Sequence, residues 1–90
     1  MVITWDENKA SSNIAKHGIS FQEAQTVLFA AESVTIEDRG HSEPRFITIA
    51  FSTKLNLLVV VYAHRLEDEI RIISARKATK KETKIYEKRI

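Results

Sequence analysis

Four cationic side chains and one histidine gather near the end of the chain, and together they favour phosphate chemistry. They are Arg65, Arg71, Arg76 and Lys77, with His64 directly before the first of them. Arginine suits phosphate because its planar guanidinium can donate two hydrogen bonds to one anion. When a ribose 2′-hydroxyl attacks the neighbouring phosphorus, negative charge builds up, and fixed cations lower that barrier. These residue types therefore favour RNA cleavage, provided that another group moves the protons.

Several groups are candidates for that proton transfer, and each also has an ordinary structural explanation. His64 could serve, as could a carboxylate of the run Glu67–Glu69. In the structural interpretation, His64 is a turn histidine, and Arg71 is a strand arginine paired with Glu69 or Glu82. The sequence leaves both interpretations open.

Two further cationic residues, Lys16 and His17, are candidates for RNA contact at the end of a predicted helix. Positive side chains there complement the helix dipole, which is a sufficient structural reason for both. Trp5 and Phe21 have rings that could stack on bases, but we expect both rings to pack in the core.

Composition excludes several other classes of site. The chain has no cysteine, and none of its three histidines, His17, His41 and His64, lies four residues from another, so we expect no zinc site. Phosphate-binding loops, dinucleotide-binding glycine turns and serine hydrolase motifs are absent. We therefore expect neither a metal nor a cofactor. The longest apolar run, Leu57–Ala63, is too short to span a membrane, and no signal peptide pattern opens the chain, so we expect a cytoplasmic protein.

A chain of 90 residues that is 43% hydrophobic suits one globular domain, residues 1–90. Its first helix is predicted over Glu7–His17, capped by Asp6 and ended by Gly18 in the left-handed conformation. Ala10 and Ile14 are four apart and share a face of that helix, which we expect to be buried.

A second helix is predicted over Phe21–Ala30, because Ser20 and Glu23 have the spacing of a capping box. The two helices make a hairpin near the N-terminus. Thr79 and Glu82 repeat the box near the other end and open a third helix that runs to about Arg89.

Alternation and apolar runs predict the strands, with polar turns between them, including a charged turn over His64–Asp68. On the last strand we expect Ile70, Ile72 and Ser74 on one face, and Arg71, Ile73 and Ala75 on the other. Short connections make the last four strands an antiparallel meander, so the fold class is α+β. The predicted strands are Val2–Trp5, Val34–Ile36, Arg45–Ser52, Leu57–Ala63 and Glu69–Ala75.

Positive charge is concentrated at the end of the chain. Residues 71–90 hold eight Lys or Arg against two Asp or Glu, a net charge of +6, whereas the whole chain carries +2. Such asymmetry indicates an anionic partner, either nucleic acid or an acidic protein. Lys77, Lys80 and Lys81 are then candidates for contact with the RNA backbone. A solvated helix face is the alternative.

Three blocks of sequence resemble BrnT-type toxins, in the order in which that family carries them. The match extends over essentially the whole chain, and three blocks in order are more specific than any one alone. The blocks are Trp5–Lys9 with Asn13 and Lys16–Ala24, then Arg45–Ile49, and finally Ile70–Thr79 with Glu82.

This resemblance implies a RelE-like fold and a metal-independent endoribonuclease that inhibits translation and arrests growth. It also implies a partner, a BrnA-type antitoxin with a ribbon-helix-helix domain, through which alone the toxin would reach operator DNA. By position, it implies that Arg71 and Arg76 hold the scissile phosphate with Arg65 in support, and it places Lys16 and His17 on the family's Lys-His-Gly motif.

Two positions depart from the family pattern. Ala50-Phe51 stands where the family often has glycine, and His64 stands where it often has an acidic residue. His64 is a candidate acid or base if it substitutes for that carboxylate; the alternative is that this position takes no part in the reaction. Two other functions are compatible with the same cationic end: a non-catalytic module that binds nucleic acid, and a structural partner of an acidic protein.

Overall fold

Capping residues and hydrophobic alternation divide the chain into eight elements. The computed structural model describes residues 1–90. Its elements are β1 (Val2–Thr4), α1 (Glu7–His17), α2 (Phe21–Val27), β2 (Val34–Asp38), β3 (Arg45–Phe51), β4 (Leu57–Leu66), β5 (Glu69–Lys77) and α3 (Lys80–Arg89).

The predicted caps of α1 are confirmed. The Asp6 side chain accepts hydrogen bonds from the backbone N–H groups of Asn8 and Lys9, and Gly18 has a φ of 71°. The buried face of α1 differs from the prediction, however, because Ile14 is half exposed and Asn13 is buried beside Ala10. The polar Asn13 can be buried on this face because its amide hydrogen-bonds to backbone groups, as described below.

Only half of the predicted capping box forms at α2. Ser20 accepts a hydrogen bond from the Glu23 N–H, but the Glu23 carboxylate accepts from the side chains of Ser52 and Asn56, at 2.6 and 2.8 Å. Burial alone would raise the pKa of Glu23, but these hydrogen bonds outweigh it and lower the pKa. Glu23 thus ties α2 to the β3–β4 turn, and α2 ends at Val27 rather than at Ala30.

The predicted meander forms, and one more strand joins it. β2 to β5 pair antiparallel in chain order, while β1 pairs parallel with β5, with Ile3 opposite Ile70. The result is a five-stranded mixed sheet in the order β1-β5-β4-β3-β2. The first strand of the chain therefore pairs with the last one.

Two bulges interrupt the pairing of β4 with β5. Ile73 is the extra residue of the first, because Val61 lies opposite Ser74 and Tyr62 opposite Ile72. The predicted alternation of β5 is therefore wrong beyond Ile73: Ala75 shares the face of Ile72, and Ser74 the face of Arg71. A bulge of one residue reverses the facing of every residue that follows it.

Arg65 is the extra residue of the second bulge, where His64 lies opposite Ile70 and Leu66 opposite Glu69. The predicted charged turn over His64–Asp68 is wrong, because β4 continues to Leu66 and leaves only Glu67 and Asp68 in the turn. His64 and Arg65 are strand residues.

None of the helices combines the length and apolar character needed to cross a membrane.

Helices cover both faces of the sheet. On one side, which we call the α3 face, Tyr86 of α3 packs edge-on against Phe51 with ring centres 5.7 Å apart. On the other, the hairpin face, Leu58, Val60 and Ala75 are fully buried where α2 contacts β3, β4 and β5. Pairing register assigns Arg45, Arg71 and Arg76 to the α3 face, and Tyr62, His64 and Ile72 to the hairpin face.

Candidate active site

Arg71 and Arg76 project from the same face of the sheet. Arg71 lies opposite Ala63 and Arg76 opposite Val59, and those two β4 residues are four apart and therefore share a face. At ~3.3 Å per residue, the backbones at the two arginines are ~13 Å apart. The bulge at Ile73 produces this arrangement, because five residues of regular strand would place the arginines on opposite faces.

Arg76 is held by Glu82 at the start of α3. Its two terminal nitrogens donate to the two carboxylate oxygens at 2.7 and 2.8 Å, and Nη1 also donates to the Lys77 carbonyl at 3.3 Å. The hydrogen bonds from Arg76 lower the pKa of Glu82 from 4.5 to about 2. Of the five N–H donors of a guanidinium, two stay available to a ligand, in a fixed orientation. The sequence offered Glu82 as a partner for Arg71, but Arg76 takes it.

Arg71 has much weaker protein contacts. Its side chain is 31% exposed, and its ion pair is with Asp6, at 3.9 Å, which is beyond hydrogen-bond distance. Asp6 is already engaged as the cap of α1, and the hydrogen bonds from the Lys9 and Asn8 amides are the main cause of its lowered pKa. The Arg71 guanidinium therefore has its donors free.

A cationic cleft lies between α1 and the stretch of β5 that joins the two arginines. Its volume is about 190 Å³. It brings together the two predicted contact residues Lys16 and His17, and adds five residues that the sequence analysis did not assign to a site. Its lining is Lys9, Ser12, Asn13, Lys16, His17, Ile73 and Ser74. The spacing of the α1 residues, which share one face of that helix, is a signal that could have revealed the cleft.

Asn13 fixes the floor of this cleft. Its amide donates to the carbonyls of Ala75 and Ile19, at 2.7 and 2.9 Å, and its Oδ1 accepts from the Ala75 N–H at 3.1 Å. One side chain thereby completes the unpaired edge of β5 beyond β1 and anchors the turn after Gly18. Asn13 therefore ties α1 to β5 two residues beyond the bulge at Ile73.

The other predicted site residues lie elsewhere. His64 is exposed on the hairpin face, edge-on to Phe46 with ring centres 4.9 Å apart, so it does not share a face with Arg71 or Arg76. Arg65, Lys77, Lys80 and Lys81 are all exposed. The largest cavity, about 420 Å³, lies in the polar loop Arg39–Pro44, has no hydrophobic lining residue and is separate from this cleft.

Comparisons with a family model and with solved structures agree with each other. The family model for the ribonuclease toxin BrnT of type II toxin–antitoxin systems matches residues 5–82. The chain belongs to the BrnT family. The crystal structure of the Brucella abortus ribonuclease toxin BrnT is similar to it, with 27% identity and a TM-score of 0.67, over 89% of this chain and 99% of that one. A comparison with curated protein sequences gives no significant match.

The BrnT family match encloses Arg71, Arg76, Glu82 and the entire cleft. It ends at Glu82, so most of α3 lies outside it. The match therefore covers the helical hairpin, strands β2 to β5 and the capping box of α3, but neither β1 nor the lysines after Glu82.

Proposed function

We propose that this BrnT-family chain is a metal-independent endoribonuclease that cleaves RNA and inhibits translation. The observation that carries the proposal is the position of Arg71, Arg76 and the cationic cleft within the region matched by the ribonuclease toxin family. Guanidinium and ammonium groups can stabilise a developing phosphorane charge without a metal ion.

In the proposed reaction, a ribose 2′-hydroxyl attacks the adjacent phosphorus. A base removes the hydroxyl proton, the P–O5′ bond breaks, and an acid returns a proton to the leaving 5′-oxygen. The products are a 2′,3′-cyclic phosphate and a free 5′-hydroxyl. Arg71 and Arg76 hold the phosphate oxygens, and Arg65 supports them from the end of β4.

We assign the proton transfer to His17. It lines the cleft together with Ser74, and Ser74 shares the face of Arg71. His64 is the second candidate, but it lies on the hairpin face against Phe46. Separate variants of the two histidines distinguish them, as described in the Discussion.

The partners that we propose follow from the BrnT family's place in type II toxin–antitoxin systems, which implies a protein antitoxin. We expect a BrnA-type antitoxin with a ribbon-helix-helix domain, contact with operator DNA only through that antitoxin, and a cytoplasmic setting. Lys16, His17, Lys77, Lys80 and Lys81 supply the surface that follows the RNA backbone, or that the antitoxin covers.

The test is to incubate the purified protein with single-stranded RNA in excess EDTA. We expect cleavage and 2′,3′-cyclic phosphate ends, with little of either from a protein carrying Arg71→Ala and Arg76→Ala. Cleavage only after a divalent ion is added would overturn the metal-free mechanism, and no cleavage in either condition would overturn the enzyme.

A single substitution, Arg76→Ala, separates an enzyme from a binding module when both turnover and RNA affinity are measured. In an enzyme, Arg76→Ala reduces turnover far more than RNA affinity, because the missing contact acts in the transition state. In a binding module, the variant loses affinity, and the salt dependence of binding becomes less steep.

A further inference from the structure

A third arginine lies in the same cross-strand row as Arg71. Arg45, the first residue of β3, is opposite Ala63 of β4, and Ala63 is opposite Arg71 of β5. Since directly paired residues project to the same side, both arginines rise from the α3 face. Their backbones are two strand spacings apart, ~10 Å. This is closer than the ~13 Å between Arg71 and Arg76.

The space between these two arginines contains no bulky side chain. Ala63 separates them, and its side chain is a single methyl group. α3 packs at the Phe51 end of β3, which is the opposite end of the strand from Arg45. A phosphate held between the two guanidinium groups therefore meets no large side chain at the Ala63 position.

Neither guanidinium in the row makes a hydrogen bond within the protein. Asp38 of β2 lies opposite Arg45 in the same row, but its carboxylate bonds to the Gly40 N–H and to His41 instead. The Arg45 Nε is buried and unpaired, and Arg71 reaches no nearer to a carboxylate than 3.9 Å. By contrast, Arg76 is bound to Glu82 and the exposed Arg39 to Glu37. Buried donors nearly always have a partner, so an acceptor brought by a ligand would satisfy the Arg45 Nε–H.

We propose that Arg45 and Arg71 together bind one phosphodiester group of the RNA. The two planar forks approach the phosphate from either side of Ala63, and its oxygens supply the acceptor that Arg45 lacks. The choice of RNA as the source of the phosphate rests on the proposed function. Arg45 is then a substrate-binding residue, and Arg76, held by Glu82, meets the strand further along.

The test uses Arg45→Met, which keeps an apolar stem and removes the guanidinium. The probe is a single-stranded RNA oligonucleotide with 2′-O-methyl riboses, which this chemistry cannot cleave. The control is Arg39→Ala, which removes the same charge from an exposed residue of the neighbouring loop. We expect Arg45→Met to bind about tenfold more weakly, with a log–log salt slope shallower by about 0.7. The control should change affinity less than twofold.

A thermal melt separates binding from a structural role. If Arg45 serves RNA, Arg45→Met melts at the same temperature as the unsubstituted protein or higher, because an unsatisfied donor has been removed. Affinity equal to that of Arg39→Ala, or a lower melting temperature with unchanged affinity, would overturn the proposal.

The uncleavable probe keeps this result distinct from the enzymatic one. If the unsubstituted protein cleaves no RNA but Arg45→Met binds the probe more weakly, phosphate binding by Arg45 and Arg71 is supported and the proposed ribonuclease activity is overturned. If the unsubstituted protein cleaves RNA but Arg45→Met equals the control in binding and rate, only the proposed phosphate binding is overturned. No binding of the probe by the unsubstituted protein overturns both.

Discussion

Arg71 and Arg76 lie on the same face of the sheet although they are five positions apart along β5, an odd interval that places residues of a regular strand on opposite faces. The bulge at Ile73 accounts for this, since it leaves Arg71 opposite Ala63 and Arg76 opposite Val59. It also turns Ala75 into the core, where Ala75 is fully buried. One inserted residue therefore sets both the cationic face and the apolar face of the last strand.

Inserting one alanine between Val61 and Tyr62 of β4 should make those two requirements incompatible. The new residue gives Ile73 a partner and removes the bulge, so Arg71 and Arg76 then project from opposite faces of the sheet. We expect a loss of ~3 kcal/mol or more in the free energy of unfolding, measured by urea denaturation, and loss of RNA cleavage. Ile73→Val, which keeps the bulge, should cost no more than ~1.5 kcal/mol. An insertion variant as stable as the unsubstituted protein would show that the bulge is dispensable.

The Arg76–Glu82 pair should make stability depend on pH in the acid range. The folded pKa of Glu82 is about 2, below its ordinary value of 4.5. A lowered folded pKa contributes stability above the unfolded value and loses it as the pH falls toward the folded one. We expect a contribution of ~1–2 kcal/mol, since the Arg76 side chain is 40% exposed and screened by water. It should be full above pH 4.5 and lost between pH 4.5 and 2.

Urea denaturation of Glu82→Gln at several pH values tests this expectation. The variant should be less stable at pH 7 and should lack this part of the acid dependence. Glu87→Gln is the control, because Glu87 is exposed on the same helix and has no ion pair within 4.0 Å. Identical acid profiles for Glu82→Gln and the unsubstituted protein would rule out the contribution.

Asn13→Leu should destabilise the fold although leucine is apolar and similar in size. The substitution removes three hydrogen bonds and leaves the Ala75 N–H and carbonyl without their partner. Leaving buried backbone groups unpaired costs ~1–3 kcal/mol each, so we expect a total loss of ~2–6 kcal/mol for the two Ala75 groups. Chemical denaturation measures it, with the exposed Asn8→Leu on the same helix as the control. Equal stabilities of the two variants would contradict a role for the Asn13 amide.

His17→Gln and His64→Gln should have different effects on cleavage. With His17 as the proton-transfer group, His17→Gln lowers kcat by about 10²–10⁴-fold and changes RNA affinity little. His64→Gln should then keep its rate within about threefold, because it lies on the other sheet face. The rate of each variant across pH 5–9 is the measurement. The reverse result, a slow His64→Gln and a fast His17→Gln, would return the role to His64.

Features that depend on neighbouring residues could be predicted from the sequence. Three helix signals are confirmed, because each is set by residues a few positions apart: the Asp6 cap, the Gly18 stop and the Thr79–Glu82 box. The antiparallel order of β2 to β5 is also confirmed, because short connections join these strands. The bulges at Ile73 and Arg65 carry no such local signal, since they depend on how two whole strands align. The errors in the facing of Ser74 and Ala75 and in the placement of His64 both follow from those bulges.

The candidate site divides in the same way. Arginine chemistry indicated Arg71 and Arg76 as a pair, but the sequence did not show which of them Glu82 would hold, nor that Lys9 would join Lys16 and His17 in one cleft. Arg45 belongs to the block Arg45–Ile49 that resembles the family, but the sequence indicates no role for its side chain. Its position beside Arg71 depends on pairing between β3, β4 and β5, which only the assembled sheet reveals.

The parallel pairing of β1 with β5 also determines how much of the chain must be synthesised before the sheet can form. Val2–Thr4 pairs with residues 69–71, and Asn13 bonds to Ala75. β1 therefore has no strand partner, and Asn13 lacks its bonds to Ala75, until residues 69–77 have emerged from the ribosome. Such long-range closure slows folding. The same strand that carries Arg71 and Arg76 completes the sheet, so a nascent chain acquires its fold and its arginine face in a single late step.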